Sequence, residues 1–320
     1  MKHMLDLLLL SYRIRIFSNC KEFVEHLRAN VEEMSIPGVC AVECERTSIP
    51  DTVVTYIDHG SEQLTFDSEG RSFFLSKAYS HLHWQDLEYI LLLVCSRICQ
   101  KNQRYIVHSV NLEKGERGIA ILGDRGSGKS IAGLSLALEG YRIVGLNRAV
   151  YGLDLRKKKV VVMCGSLPLR LRLATITRYF PQLLERVPKQ QVDNEWTHVV
   201  HFSREALAEF GVHYCTEQVP LSVAFFVNVT PVAMRDCTSA RIDELYLRPR
   251  LYSLFSEYIA GYKAILASFN SPMMSLDNLD LARTRLAAAT MMCHKVPVYQ
   301  VMGNLEYVCE TIREKEGSQE

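Results

Sequence analysis

Apolar and polar positions alternate in short runs over the early part of the chain. Leu7-Leu8-Leu9-Leu10 leads directly into Ser11-Tyr12-Arg13-Ile14-Arg15, which alternates as a strand does, so the run reads as a first core segment and not as a leader. Val53-Val54-Thr55-Tyr56-Ile57 and Ser72-Phe73-Phe74-Leu75 are two further strands. Between them and the first segment, Lys21 to Glu33 has helical spacing and stops near Pro37-Gly38. A second helix starts near Trp84 and runs through Leu91-Leu92-Leu93 to Cys99. Its apolar residues surround it almost fully, which predicts burial.

The pattern then changes. Tyr105-Ile106-Val107-His108-Ser109-Val110 reads as a strand, joined by a hairpin turning near Lys114-Gly115-Glu116 to the wholly apolar Ile119-Ala120-Ile121-Leu122. A glycine-rich turn follows, then a helix over Ile131 to Leu138 stopped by Gly140, then a strand at Tyr141-Arg142-Ile143-Val144. Strand, glycine loop, helix and strand make the βα core of an α/β nucleotide-binding domain. Val150 to Leu155 and Val160 to Met163 form a hairpin around Arg156-Lys157-Lys158-Lys159, a basic run expected to be a solvated turn and no nucleic-acid site. Leu221 to Val229 is a strongly apolar strand, and Leu251 to Ala267 and Leu281 to Met292 are helices. Val296 to Val301 is a last strand, placed at a sheet edge by Pro297, and Asn304 to Lys315 a last helix before a tail, Arg313 to Glu320, expected to fray. This divides the chain into a small N-terminal α/β domain, 1–100, and a P-loop domain, 101–320.

Composition narrows the classes. The chain has 320 residues, 48% hydrophobic and 23% charged, with a formal net charge of +1, so no global field draws it to nucleic acid or an anionic membrane. The leucine run is too short to span a bilayer. The 10 cysteines are scattered and none form a CxxC pair, which argues against a disulfide scaffold and for buried thiols in a reducing cytoplasm. Cys95 and Cys99 sit one helical turn apart, as packing residues do.

Gly123-Asp124-Arg125-Gly126-Ser127-Gly128-Lys129-Ser130 matches G-x-x-x-x-G-K-[ST] at every fixed position, with a strand before and a helix after. The glycines let the backbone curl so that its N–H groups converge on phosphate oxygens. The helix that follows aims its free N–H groups and positive dipole end at the same point. Lys129 brings a mobile charge to the β and γ phosphates, Ser130 a hydroxyl to Mg²⁺, and the cofactor-binding segment runs on to Ile131. Motor, transport and GTP-switch families need a second carboxylate at the end of an apolar strand. The apolar strands here run into Asn147, Asn228 and Asn270, and neither N-K-x-D nor LSGGQ occurs.

The 105–110 strand with its histidine, the loop, and Glu139-Gly140-Tyr141-Arg142-Ile143-Val144 together resemble the HPr kinase family, whose fold is shared with the phosphoenolpyruvate carboxykinases. Asn147-Arg148 stands where HPr-kinase-like proteins carry an N-D-R or D-D element. Ser166-Leu167-Pro168-Leu169-Arg170-Leu171 is similar to their P-L-P-x-R-L segment, and Val296-Pro297-Val298-Tyr299 to their ending. The resemblance implies a P-loop nucleotide-binding core of the HPr kinase/phosphoenolpyruvate carboxykinase type with a small N-terminal α/β region. It implies ATP and Mg²⁺ as cofactors, and transfer of the γ phosphate to a hydroxyl of a small metabolite or of a protein or peptide serine. It further implies His108, Asn147 and Arg148 beside the acceptor, and a homo-oligomer; Arg148 and Arg170 are candidates to neutralise charge on the transferring phosphoryl group, with a surface or hairpin ion pair as the alternative for each.

This sequence departs from the family in two places. Asn147 replaces the aspartate that serves the kinases as base, and Ile131 stands where a glutamate is frequent. An amide cannot accept a proton at neutral pH, although it can coordinate Mg²⁺ or orient a hydroxyl. An ATP- or ADP-binding regulatory or assembly module is therefore the alternative to a kinase. Of the other candidates, Arg125 faces solvent or covers the phosphates, Asp154 belongs to the hairpin, and Asp243-Glu244 could approach from a distant loop. His81 with His83, His198 with His201, and Cys293-His294 lack an evident third metal ligand and are expected to be structural or solvated.

Overall fold

The alternation at the amino terminus folds as a hairpin: β1 (His3–Leu9) pairs antiparallel with β2 (Tyr12–Ser18) through a turn in which Leu10 takes a φ of 58°. The structure, a computed structural model, describes residues 2–45, 47–67, 69–154, 159–187, 194–261 and 264–318. The hairpin is followed by α1 (Lys21–Asn30), β3 (Val39–Val42), β4 (Thr52–Ile57), β5 (Gln63–Phe66), β6 (Ser72–Ser76), α2 (Trp84–Lys101) and β7 (Arg104–Val107). Six of these strands form one sheet in the order β3-β1-β2-β4-β6-β5, with β2, β4 and β6 parallel. α1 buries Phe23, Val24 and Leu27 on one face. α2 is buried at every position from Ile90 to Gln100, as its all-round apolarity predicts. Asp6 is fully buried on β1. Burial raises its pKa, but hydrogen bonds from Arg15 at 2.8 Å and Arg13 at 2.7 Å outweigh that and hold the carboxyl below its ordinary range.

The remaining elements are β8 (Val110–Lys114), β9 (Arg117–Leu122), α3 (Lys129–Leu138), β10 (Arg142–Gly145), β11 (Ala149–Asp154), β12 (Lys159–Gly165), β13 (Leu169–Arg172), α4 (Leu173–Tyr179), β14 (Val199–Phe202), α5 (Arg204–Ala208), β15 (Val219–Val229), β16 (Thr238–Arg241), α6 (Glu244–Ser256), β17 (Ile265–Leu266), β18 (Ser271–Pro272), α7 (Leu279–Lys295), β19 (Val298–Gly303) and α8 (Leu305–Gly317). The chain is thus mixed α/β, with several sheets. It groups into two compact units, Met1–Val107 with Pro249–Thr290, and His108–Arg248 with Met291–Glu320. A single division near residue 100 does not describe that grouping, because 249–290 closes back on α2. The fully buried Arg285 donates to Gln100 at 2.8 Å, and Gln100 donates to the Phe255 carbonyl at 2.9 Å.

In the second unit, β9 has β8 antiparallel on one side and β15 parallel on the other, and β10 pairs antiparallel with β8. β15 pairs at its start with β12, which pairs with β11, and over its last six residues runs parallel to β19. α3 and α8 pack over this sheet, where Leu134, Phe225, Val301, Val308 and Ile312 are all buried in one cluster. Fully burying such a side chain contributes about 1.5–3 kcal/mol.

Several sequence expectations are corrected. The strand expected after α3 is β10; it pairs antiparallel with β8, while the parallel neighbour of β9 is the longer apolar β15. His108 lies in the link between β7 and β8 rather than inside a strand. The helix expected over Leu251 to Ala267 begins at Glu244, where the Asp243 carboxylate accepts from the Leu245 N–H at 2.8 Å, and it ends at Ser256. Gly261 prevents its continuation: φ there is 68°, and a Cβ would lie 1.8 Å from the Met274 carbonyl oxygen. β19 is not an edge strand, because it lies between β15 and β16; Pro297 precedes it and serves only as acceptor, from the Ala224 N–H at 3.0 Å. The C-terminal helix runs on to Gly317, with Arg313 paired to Glu139. Residues Arg156, Lys157 and Lys158 of the basic turn and the Asp154 side chain lie outside the described residues. Among the described residues no helix is long and apolar enough to cross a membrane.

Candidate phosphate-binding site

The glycine-rich segment occupies the turn between the end of β9 and the start of α3. Its three motif glycines all adopt positive φ: 143° at Gly123, 83° at Gly126 and 89° at Gly128. A side chain at two of them would also collide. A Cβ at Gly123 would come 2.5 Å from Ser127 Oγ, and one at Gly128 would come 2.5 Å from the Val229 side chain. The loop is stitched to β15 by the Val229 N–H donating to the Ser127 carbonyl at 2.8 Å. Gly128 starts α3 with no side-chain cap, so the first N–H groups of the helix face the turn unsatisfied by a cap.

Lys129 is buried, and its Nζ donates to the carbonyls of Gly123 and Asp124, each at 2.8 Å. The ammonium thereby braces the mouth of the loop. Asp124, Arg125 and Gly126 are exposed at its tip, while Ser130 is half-buried in the first turn of α3. The partly buried Ile131 side chain packs against the apolar cluster. Ser127 Oγ and Thr230 Oγ1 are buried with no hydrogen-bond partner. The Thr230 N–H donates to the Gly303 carbonyl at 2.8 Å, which sets it at the end of β15. Neither hydroxyl carries a sequence signal, since Ser127 fills an unspecified motif position and Thr230 lies outside any motif.

On the β8 side, the register places His108 beside the loop. Val110 pairs with Ile121 at the last step of the antiparallel β8–β9 ladder, and His108, two residues before Val110, is close enough to Lys129 and Arg125 for their charges to act on it. The Ser109 N–H donates to the Asn147 carbonyl at 3.2 Å, drawing the turn after β10 to the same place. That turn is fixed by Ser166: its carbonyl accepts from the Leu146 N–H at 2.9 Å, its Oγ accepts from the Arg148 N–H at 3.0 Å, and its own N–H donates to the Arg148 carbonyl at 2.8 Å. A Cβ at Gly165 would lie 2.3 Å from the Gly145 Cα, so backbone meets backbone here. Buried Tyr151 donates to Asn111 Oδ1 at 2.6 Å, and the Asn111 amide donates at 2.8 Å to the Oγ of Ser109, which follows His108 in the chain.

The structure therefore gathers the 123–130 loop, His108, Asn147 and Arg148. Burial, and then the charges of Lys129, Arg148 and Arg125, push the His108 pKa down to about 3. Arg170 is not among those cations; it lies on β13 opposite His201 of β14, in a separate two-stranded sheet. Asp243 and Glu244 are engaged at the start of α6, Glu244 with Arg248 and, at 3.4 Å, with His294. Among the described residues no group of three or more His, Cys, Asp or Glu could hold a metal ion.

The state of His108 has a consequence for pH. The folded chain keeps the imidazole neutral from pH 6.5 down to about 3, whereas the unfolded chain takes up a proton below about 6.5. Stability carried by the neutral ring is thus complete above pH 6.5 and declines as pH falls, by up to about 1.4 kcal/mol per unit. Imidazole resonances of His108 should show no titration at pH 5, and His108→Gln should flatten the acid limb of the stability curve. A His108 midpoint near 6.5 would contradict this.

No protein-family model matches the sequence, and no curated protein matches it. Among solved structures, the chain is similar to the Hpr(Ser) kinase/phosphatase from Coxiella burnetii, at 12% identity, over 67% of this chain and 97% of that one, with a TM-score of 0.30. Backbones that superpose so loosely transfer no residue's role, and the site stands on its own geometry.

Proposed function

We propose that the chain binds ATP with Mg²⁺ through its phosphates at the 123–130 loop and transfers the γ phosphate to a hydroxyl, of a small metabolite or of a serine in a protein or peptide. The observation that carries this is the loop itself: three glycines at positive φ between a buried strand and an uncapped helix start, with Lys129 folded across the mouth. Lys129 and the loop N–H groups would hold the phosphates, and Ser130 would contribute a hydroxyl to Mg²⁺. His108, Asn147 and Arg148 would stand beside the acceptor. Phosphoryl transfer through a loose transition state depends chiefly on positioning and charge neutralisation, which this arrangement could supply.

A second reading is favoured by Asn147, whose amide cannot take the acceptor's proton. In that case the site holds ATP or ADP as a regulatory or assembly ligand. Incubation with γ-labelled ATP, Mg²⁺ and a panel of hydroxyl acceptors, in parent and Asn147→Asp chains, separates the two. Transfer by the parent supports the kinase. Binding without transfer, with transfer gained by Asn147→Asp, supports the module. Absence of ATP binding in both would overturn the two readings together.

A further inference from the structure

The loop is flanked on both sides at the carboxyl end of β9. His108 and the Asn147-Arg148 turn stand on the β8 side, and the carboxyl ends of β15 and β19 stand on the other. Ligands of parallel sheets sit outside the carboxyl ends of the strands. β9, β15 and β19 run parallel, with Leu122 in register with Phe226 and Asn228 in register with Met302. A triphosphate whose γ end faces His108 would have the ends of β15 and β19 on the side away from that histidine.

What it meets there is unusual for a strand end. Asn228 is exposed, Met302 is 37% exposed and Met234 is 49% exposed. Asn304, two residues beyond Met302, accepts from the Tyr307 N–H at 2.9 Å, and its Nδ2 lies 3.6 Å from Met234 Sδ. The rim between them is tight: a Cβ at Gly303 would come 2.7 Å from Cys237 Sγ and 2.8 Å from the Tyr307 ring. Exposed thioethers are polarisable and adapt to a flat ring. An asparagine amide sets a donor beside an acceptor, which matches the N6 amino group and N7 of adenine, whereas the corresponding O6/N7 edge of guanine offers two acceptors.

We propose that the ends of β15 and β19 seat the nucleobase, with Met302 and Met234 against the face of an adenine and the Asn228 amide at its edge. This rests on the phosphate-binding reading above and adds the base to it.

Calorimetric titration of the full chain with tripolyphosphate, ATP and GTP tests the seat separately from the loop. ATP should bind about tenfold or more tighter than tripolyphosphate, and tighter than GTP. Met302→Ser should remove most of the ATP advantage, Met302→Leu should keep it, and Asn228→Ala should bring ATP and GTP together, with tripolyphosphate affinity within about twofold throughout. Both positions are exposed or half-exposed, and folding of each variant is checked by circular dichroism. If tripolyphosphate binds but ATP gains nothing over it, or keeps its full gain in Met302→Ser and Asn228→Ala, the base seat is wrong and the phosphate loop stands. If tripolyphosphate does not bind, the loop reading fails and the seat falls with it.

Discussion

Lys129→Ala should lower phosphoryl transfer by about 10³-fold or more, the scale set by removing a single preorganised charge from a phosphoryl-transfer site. Two physical effects combine. The ammonium is the mobile cation that the motif provides for the β and γ phosphates, and no other loop residue except Arg125, at the exposed tip, carries a positive charge. It also donates at 2.8 Å to the carbonyls of Gly123 and Asp124, so its removal loosens the loop in the absence of ligand. Lys129→Arg separates the two effects, because it keeps the charge but offers a planar fork instead of a compact ammonium. A readout independent of activity exists in His108. Lys129 is the first of the cations that depress it, so the His108 midpoint should rise from about 3 in Lys129→Ala. Unchanged transfer in Lys129→Ala would sink the kinase reading, and an unmoved His108 midpoint would show that the lysine does not face the histidine.

The site was legible where local covalent pattern specifies it and opaque where register does. The eight-position motif predicts the loop, its glycine conformations and the helix that follows, because these follow from backbone sterics within a few residues. The nearness of His108 to the loop depends on the β8–β9 ladder that ends just after it, which the hairpin turn at Lys114-Gly115-Glu116 already announces. The parallel neighbour of β9 does not follow from local pattern. β15 is far along the chain, and only its length and its apolar character over Val223 to Val227 mark it as central. The same limitation hid Asn228 and Met302 as neighbours. Each is an ordinary residue on its own strand, and the parallel register alone places them side by side. The helix misplaced over Leu251 to Ala267 failed for a different reason. Apolar periodicity runs on past Ser256, but Gly261 is pressed against the Met274 carbonyl, a non-local contact that periodicity cannot contain.

The same kind of non-local contact sets the second large effect: Arg285→Met should destabilise the chain by about 3 kcal/mol or more. Arg285 sits on α7 with no exposed surface. Its guanidinium donates to Gln100 Oε1 at 2.8 Å, to Asp277 Oδ2 at 2.5 Å and to the Tyr252 hydroxyl at 3.3 Å, and it lies over the Tyr252 ring. Burial alone would lower its pKa; the Asp277 carboxylate and the Tyr252 hydroxyl outweigh that, and the group stays charged. Methionine fills the volume but donates nothing. It strands the Gln100 carbonyl oxygen, inside a network in which Gln100 also holds the Phe255 carbonyl at 2.9 Å, and it leaves the Asp277 carboxylate without its cation. Asp277 has 26% of its side chain in contact with solvent and can hydrate in part, so the loss should fall short of that for a fully buried pair. Adding Asp277→Asn should recover part of the loss, because the uncompensated charge is then gone. The check is urea unfolding of parent, single and double variants at pH 7, followed by far-ultraviolet circular dichroism. A shift below about 1 kcal/mol in Arg285→Met would mean that the network contributes little beyond packing. An undiminished loss in the double variant would place the cost on Gln100 and Tyr252, not on the stranded carboxylate.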